Sequence, residues 1–200
     1  MSAPILRGPR VTLRPPKDQD ADDRLRCGRD AEYVRSVGGD YRTIQSLTAD
    51  EAQLWLEQCR AEPVGWMIEV EGRCIGAARL HSLNETDRRA RYAIGIFDPS
   101  ARNQGYGAEA TRLILDYAFG ALELHRVDLR VLAHNARAIA CYTKCGFMRE
   151  GIEREGAFIA GEWQSDVMMS ILEHEYRQSS AHTETVMPQT REPQDTDSFA

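Results

Sequence analysis

The chain has 200 residues, of which 42% are hydrophobic and 28% are charged, and its formal net charge is −6. This composition is typical of one soluble globular domain, and an acidic chain without a run of basic residues is not expected to bind nucleic acid. The sequence has neither an apolar run of roughly 18 residues that could cross a bilayer nor the apolar segment of a signal peptide. We therefore expect a cytoplasmic protein without a membrane partner.

The first half of the chain predicts a strand, two helices and a hairpin. In "RVTLRPP", alternating apolar residues stop at two prolines, which indicates a strand. Helical spacing of apolar residues follows from residue 20 to about 29 and from 48 to about 60, where Thr48 and Glu51 form a capping box. The apolar runs of "WMIEVEGRCIGAARLHSL" flank a tight turn at residues 71–72 and indicate a hairpin.

The next predicted strand, "ARYAIGIF", has one nearly bare face. Tyr92, Ile94 and Ile96 point to one side, whereas the small residues Ala93 and Gly95 point to the other. A strand face with so few side chains leaves room for another group, so we expect something to lie against it.

The stretch "DPSARNQGYGAEATRLIL" turns from this strand into a helix through Gly105 and Gly107. The first amides of a helix have no intrahelical acceptor, and glycine lets an anion approach them closely, so the loop is expected to hold phosphate. A Walker loop would need Lys and Ser or Thr where Ala108 and Glu109 stand. A dinucleotide-binding fingerprint would need a third glycine and an early position in a repeated βαβ array.

The second half of the chain predicts a strand, a helix and two extended pieces. "RVDLRVL" alternates, with its apolar residues inward and Arg126, Asp128 and Arg130 outward. "NARAIACYTKCGF" starts at a capping residue, Asn135, and ends at Gly146 in the position of a helix stop. Extended pieces follow at about 147–153 and 164–172. Residues 1–177 are expected to form a single domain, and the polar, aperiodic residues 178–200 a disordered tail.

The five cysteines predict neither a disulfide framework nor a metal site. They are scattered and form no CxxC pair. Cys141 and Cys145 lie four apart on a predicted helix, which could bring them close. The simpler interpretation is small apolar side chains in a reducing compartment.

The loop "RNQGYG" resembles the Arg/Gln-x-x-Gly-x-Gly/Ala motif of the GNAT superfamily of N-acetyltransferases. Other motifs support this resemblance in the order the family has them: "LRP", "FDP", "GAEA", "N..AI.CY.KCGF" and "GEWQSDVMMSIL". The resemblance covers about residues 10–176 and looks closest to the branch of ribosomal-protein N-terminal acetyltransferases. It implies an α/β fold in which helices flank a mixed, mostly antiparallel central sheet, with a splayed parallel strand pair at the cofactor site.

The resemblance also implies which residues bind acetyl-CoA as co-substrate, with no metal. The loop before the helix would cradle the pyrophosphate, the backbone of the preceding strand would pair with the pantetheine arm, and an asparagine would contact the cofactor or a water near the thioester. The loop residues are Arg102, Asn103, Gln104, Gly105, Tyr106 and Gly107. The strand residues are Gly95, Ile96 and Phe97, and the asparagine is Asn135.

One catalytic residue is carried over from the family, and one is missing. Tyr142 matches the tyrosine that protonates the departing CoA thiolate, although its spacing also fits a core aromatic residue. Many relatives have a glutamate that acts as the general base on the strand before the cradle. This chain has Ala93 and Gly95 near that position. Asp98, His134 or a water relay are the alternatives for the general base.

Two further positions bear on how far the resemblance extends. Glu109 matches a family glutamate and is expected to brace the first helical turn through the helix dipole. Ala138 stands where the ribosomal branch often has a serine, which weakens the transfer of that branch's mechanism and substrate.

Together these observations predict an acetyl-CoA-dependent N-acetyltransferase that moves an acetyl group to a primary amine by direct attack in a ternary complex. The amine could belong to a protein N-terminus or to a small molecule, and the protein to a monomer or a homodimer. Two alternatives remain open: a non-catalytic module of the same fold that binds acyl-CoA, and a nucleotide-binding protein of another fold.

Overall fold

The computed structural model describes residues 3–184, with side chains through Gln178, and contains one eight-stranded sheet in the order β1-β2-β3-β4-β5-β6-β8-β7. The strands are β1 Leu6–Arg7, β2 Thr12–Arg14, β3 Gly65–Val70, β4 Arg73–Asn84, β5 Arg89–Ile96, β6 Arg126–Leu132, β7 Met148–Ile159 and β8 Glu162–Leu172. The helices are α1 Gln19–Cys27, α2 Ala31–Ser36, α3 Ala49–Ala61, α4 Tyr106–Gly120, α5 Ala136–Lys144 and α6 Glu173–Glu184, with a 3₁₀ turn at Pro99–Ala101.

Local signals in the sequence correctly predicted several of these elements. Thr48 and Glu51 form the expected capping box at the start of α3, and the Asn135 side chain accepts a hydrogen bond from an amide in the first turn of α5. Glu71 and Gly72 join β3 to β4 with φ angles of 50° and 77°. Positive φ at both positions gives the turn a twist that matches the strands it connects.

The sheet is mixed and mostly antiparallel, as predicted, and its single parallel pair opens into a gap. β5 pairs with β6 only from Arg89 to Arg91, opposite residues 126–128. Beyond Arg91, β5 continues to Ile96 paired with β4 alone, while β6 continues paired with β8. The two parallel strands therefore separate at their C-terminal ends, which is the splayed geometry expected at the cofactor site.

Helices cover both faces of the sheet. In β3, Trp66 and Ile68 pack in the main core cluster with Ile114 of α4. Met67, which lies between them, belongs to another cluster with Phe97 on the opposite face. Because successive strand residues face opposite sides, one apolar run supplies two cores.

Asp128 corrects one prediction, because it is 4% exposed although it lies on the face expected to be solvated. Its carboxylate is 2.9 Å from Arg91 Nε and 3.7 Å from nitrogens of both Arg89 and Arg126. Strand alternation indicates which face a residue occupies. It does not indicate that arginines from two strands will cover that face.

The C-terminal boundary also differs from the expected one. α6 continues through Glu184, so residues 178–184, expected to be disordered, are helical. Tyr176 is buried and packs on Phe119 of α4, with ring centroids 5.4 Å apart, and Arg177 pairs with Glu173 one turn earlier. These contacts anchor the first turn, from which the helix continues. The rest of the predicted tail, 185–200, lies outside the described residues.

A buried ion pair fastens α1 to the sheet. Arg14 of β2 donates two hydrogen bonds to Asp20 of α1, at 2.9 and 2.7 Å, and also contacts Glu69 of β3. Asp20 is 0% exposed and accepts a third hydrogen bond from the Lys17 amide at 2.7 Å. With these partners removed, a buried charge would stay uncompensated.

Replacing Asp20 with asparagine is expected to lower the free energy of unfolding by about 1–3 kcal/mol, because Arg14 loses the more buried of its two carboxylate partners and keeps only Glu69. Urea denaturation followed by circular dichroism would measure the change. Asp22→Asn is the matched control, since Asp22 lies on the same helix and is exposed. Equal stability of the two variants would contradict a structural role for the ion pair.

Candidate active site

A cavity of about 960 Å³ lies where β5 and β6 separate. This volume is within the range of about 300–1,000 Å³ that is typical of ligand sites. The start of α4 and one side of α5 form part of its wall, and α2, α3 and the β7–β8 hairpin contribute residues as well. Because the gap lies between two strands, residues from both faces of the sheet line the cavity.

The loop before α4 presents unpaired amides to this cavity. Gly105 caps the helix with a φ of 84°, and the first intrahelical bond joins the Glu109 amide to the Gly105 carbonyl at 3.1 Å. Within residues 3–184, the amides of residues 103–108 have no hydrogen-bond acceptor. Unpaired donors at the positive end of a helix dipole suit an anion, so the amides that the sequence led us to expect are available here.

Glu109 holds this cradle against the N-terminal segment. Its carboxylate accepts hydrogen bonds from the amides of Arg10 and Val11, at 2.7 and 2.9 Å, and from Arg10 Nε at 3.0 Å. Arg10 in turn donates to the Gln104 carbonyl at 2.9 Å and lies over the Tyr106 ring. Burial opposes ionisation, but the two backbone amides lower the pKa of Glu109. Glu109 therefore joins two distant segments, in addition to lying in the first turn of α4.

The cradle residues do not all face the cavity. Asn103, Gly105, Tyr106 and Gly107 line it, whereas Gln104 does not. The Arg102 side chain is 7% exposed and reaches the cavity wall, but its guanidinium faces α2.

Arg102 is held by acidic groups at the start of α2. Its Nη1 atom lies 2.6 Å from Asp30 Oδ1 and 3.6 Å from Glu32 Oε2, and its Nη2 atom donates to the Phe97 carbonyl at 3.4 Å. Its Nε atom is buried without a hydrogen-bond partner among the described residues. Sequence spacing could not reveal these carboxylates, which lie some 70 positions earlier in the chain.

The end of β5 offers a backbone edge at Ile96. The Phe97 amide donates to the Ile75 carbonyl at 3.0 Å, so it is not available to a cofactor as the sequence led us to expect. Ile96 is the next residue in this antiparallel pair, and alternation turns its backbone groups away from β4. The bare face of β5 is occupied by Tyr33, whose hydroxyl would lie 2.7 Å from a Cβ atom at Gly95.

Tyr142 of α5 lies in the wall of the cavity. It is 8% exposed, and its ring packs edge-on against Tyr92 and Phe147, with centroids 6.3 and 5.8 Å apart. Its hydroxyl has no hydrogen-bond partner within the described part of the chain. Burial raises the pKa of Tyr142 well above its usual value, so the hydroxyl keeps its proton at neutral pH.

Asn135 also lines the cavity, but both ends of its side-chain amide already have partners. Oδ1 accepts from the Ala138 amide at 3.1 Å, and Nδ2 donates to the Ser36 carbonyl at 3.3 Å. The predicted cap of α5 is thus present, and the same side chain ties α5 to the end of α2.

The general-base candidates taken from the sequence lie elsewhere. Asp98 caps the 3₁₀ turn, where it accepts from the Ser100 amide at 2.8 Å and hydroxyl at 2.6 Å, and neither Asp98 nor His134 lines the cavity. Asp166 of β8, which the sequence pattern did not single out, does line it and is 3% exposed. The one available signal was an acidic residue inside a strand of mostly buried residues, and that signal is weak.

Two general findings concern metals and membranes. Among residues 3–184, no group of three or more His, Cys, Asp or Glu side chains could hold a metal ion. Across the same residues, no helix combines the length and the apolar character required to span a bilayer.

Unpaired amides at a helix start, a splayed parallel strand pair and a buried tyrosine therefore meet at one cavity, an arrangement that suits a ligand with an anionic group. Residues 10–148 match the family model described as an acetyltransferase (GNAT) domain. The chain belongs to this family, whose enzymes take acetyl-CoA as the acetyl donor.

The chain is also similar to individual proteins named as N-acetyltransferases. The Bacillus subtilis protein named "Probable N-acetyltransferase YjcK" is 31% identical over 176 residues, which cover 84% of this chain and 97% of that protein. "Putative ribosomal N-acetyltransferase YdaF", from the same organism, is 30% identical over 53% of this chain and 57% of its own length. The crystal structure of Vibrio cholerae spermidine N-acetyltransferase with CoA and spermine has a TM-score of 0.70 at 25% identity, covering 85% of this chain and 99% of that one.

Gly105→Ala is expected to weaken CoA binding by about tenfold or more. A residue with a side chain is strained at a φ of 84°, so the loop would leave the geometry that presents its amides, and binding would have to restore it. Isothermal titration calorimetry with CoA measures the effect.

Gly120→Ala is the matched control for this substitution, because Gly120 ends the same helix in open space. An unchanged dissociation constant for Gly105→Ala, with the control also unchanged, would contradict the assignment of the cradle.

Proposed function

We propose that the protein transfers the acetyl group of acetyl-CoA to the primary amine of a small molecule or of a protein N-terminus, by direct attack in a ternary complex. The observation that carries this proposal is that the unpaired amides at the start of α4 open into the same cavity as the Tyr142 hydroxyl. The amides suit the diphosphate of CoA, and the Tyr142 hydroxyl can supply a proton to the leaving thiolate. Acetyl transfer from a CoA thioester would use both.

The residues present fit acetyl-CoA, which supplies the acetyl group as a thioester. The amides of residues 105–108 would bind its diphosphate, and the backbone edge at Ile96 would pair with its amide-containing arm as an added strand does. Arg137 and Lys144 of α5 add positive charge to the cavity wall. Arg102 supports the site from the side, by holding α2 against the cradle.

Tyr142 would act as the general acid. Its hydroxyl stays protonated because burial raises its pKa, and its lack of a partner leaves it free to donate to a departing thiolate. A free thiol has a pKa near about 8.5, so the thiolate is already a reasonable leaving group. Tyr142 therefore assists the reaction and is not indispensable to it.

The cavity suits a single ammonium group better than a long polycation. Its lining carries two acidic side chains, Glu62 and Asp166, and Glu62 is already paired with Arg79 at 2.7 Å. The relatives named for ribosomal proteins and for spermidine have different acceptors, but each acceptor presents an amine. The acceptor class is thus best sought among monoamines and peptide N-termini. A monomeric or dimeric state stays a prediction.

Two measurements test the proposed function. A thiol-release assay over a panel of amines and N-terminal peptides should find turnover with at least one of them. Titration with CoA, ATP and NAD should show a preference for CoA. Tight CoA binding without turnover on any amine would favour the non-catalytic alternative, and a preference for ATP or NAD would overturn the proposal.

Tyr142→Phe is expected to lower kcat by about 10²-fold, at the low end of what general acid–base groups contribute. The affinity for CoA should stay within about twofold, because the aromatic packing is kept. Tyr92→Phe is the matched control: Tyr92 packs against Tyr142, and its hydroxyl is paired with Thr111 at 3.0 Å. Equal kcat values for the two variants would remove the catalytic role of Tyr142.

A further inference from the structure

Asp166 is a buried carboxylate in the wall of the cavity that lacks a full set of partners. It lies on β8 opposite Leu132 of β6 and is 3% exposed. Its Oδ2 atom is buried and has no hydrogen-bond partner among the described residues. The Arg130 Nε atom lies 3.7 Å from Oδ2, close enough for an ion pair but too far for a hydrogen bond. A buried carboxylate oxygen in this state is costly unless something else binds it.

Asp166 and Tyr142 lie on opposite faces of the sheet. Val167, the next residue on β8, packs in the main core cluster together with Tyr142. Because strand residues alternate, Asp166 points to the other face, which it shares with Leu132. The segment after α2 covers that face, since a Cβ atom at Gly38 would lie 3.9 Å from Leu132 Cδ1. Both Tyr142 and Asp166 still line the same cavity, because it passes through the gap between β5 and β6.

We propose that Asp166 binds the ammonium group of the acceptor and takes a proton from it, so that the neutral amine attacks from the face of the sheet opposite Tyr142. This inference rests on the proposed function. The ammonium loses one proton to the Asp166 carboxylate, and the amine nitrogen then forms the amide bond to the acetyl carbon. The carbon–sulfur bond breaks, the sulfur keeps the electron pair, and Tyr142 supplies its proton. The second proton of the attacking nitrogen and the proton held by Asp166 leave to solvent, and Tyr142 is reprotonated from solvent.

The charges around Asp166 suit this role. Burial raises the pKa of the carboxyl group, Arg130 of β6 opposes the rise, and Glu153 of β7, its register partner, adds to it. A carboxylate with a raised pKa is a stronger base, and a bound cation stabilises its ionised form more. An alkylamine of pKa about 10.4 has a large need for a base, because only about 1 molecule in 2,500 is neutral at pH 7. An α-amine of pKa about 7.8 is neutral in roughly 1 in 7 and needs the base far less.

The alternative is that Asp166 serves only to pair with Arg130 and hold β6 against β8. A structural role of this kind would affect every acceptor alike, whereas a proton acceptor matters most for the acceptor of highest pKa. The dependence of the loss on amine pKa therefore separates the two roles.

The test compares Asp166→Asn with the wild type on an alkylamine and on a peptide α-amine. We expect kcat/KM to fall by about 10²–10⁴-fold for the alkylamine and by at least tenfold less for the α-amine. The wild-type rate should fall as pH drops through the pKa of Asp166, and the variant should lack that acid limb. Asp166→Glu, which keeps the carboxylate, should recover part of the alkylamine rate. Equal losses for both amines would overturn the proposal.

Asp128→Asn is the matched control, because Asp128 is a buried carboxylate on the same face of the sheet that does not line the cavity. Its removal is expected to change stability but not the dependence of kcat/KM on amine pKa. If Asp128→Asn altered the dependence of kcat/KM on amine pKa as strongly as Asp166→Asn, that result would also count against the proposal.

A binding measurement judges Asp166 independently of turnover. Calorimetric titration of propylammonium into the CoA-saturated protein should give at least tenfold weaker binding for Asp166→Asn than for the wild type. Unchanged binding would overturn the proposal. If the wild type transfers acetyl groups to no amine, the proposed function fails, and this titration still decides whether Asp166 binds an ammonium group.

Discussion

The separation of β5 from β6 after only three paired positions is the constraint on which the rest of the site depends. A paired sheet would satisfy the backbone edge at Ile96 and close the route between the two faces. Because the strands separate, the start of α4 lies beside an open backbone edge, and side chains from both faces reach one cavity. The glycine loop, Tyr142 and Asp166 therefore line one cavity, although Tyr142 and Asp166 lie on opposite faces of the sheet.

Net charge is a poor guide to the charge of this cavity. The whole chain carries −6, yet basic side chains outnumber acidic ones along the cavity wall. Acidic residues of α2 pair with Arg102 and Arg137, which moderates that positive charge. Basic and acidic side chains therefore occur in the wall of one cavity, and Glu62 is already paired there with Arg79. The basic side chains in the wall are Arg79, Arg102, Arg130, Arg137 and Lys144, and the acidic ones are Glu62 and Asp166.

The sequence predicts what depends on neighbours within a few positions, and it misses what depends on distant segments. Caps, the hairpin turn, strand alternation and the glycine loop are local features, so the elements and the unpaired amides of the loop could be predicted. The partners of Arg102, the buried state of Asp128 and the position of Asp166 arise only when separate strands and helices meet. The amide of Phe97 shows the same limit, because its acceptor lies on the neighbouring strand. Family resemblance supplied Tyr142, which periodicity alone would have left as a core aromatic residue.

The hydrogen bonds from the Arg10 and Val11 amides to Glu109 tie the segment before β2 to the first turn of α4. The glycine loop is thus held by a segment almost a hundred positions upstream, through two amides and a guanidinium. Trimming or fusing a tag close to residue 10 would consequently disturb donor affinity while leaving every cradle residue intact. Residues 10 and 11 therefore belong to the framework that fixes the conformation of the glycine loop.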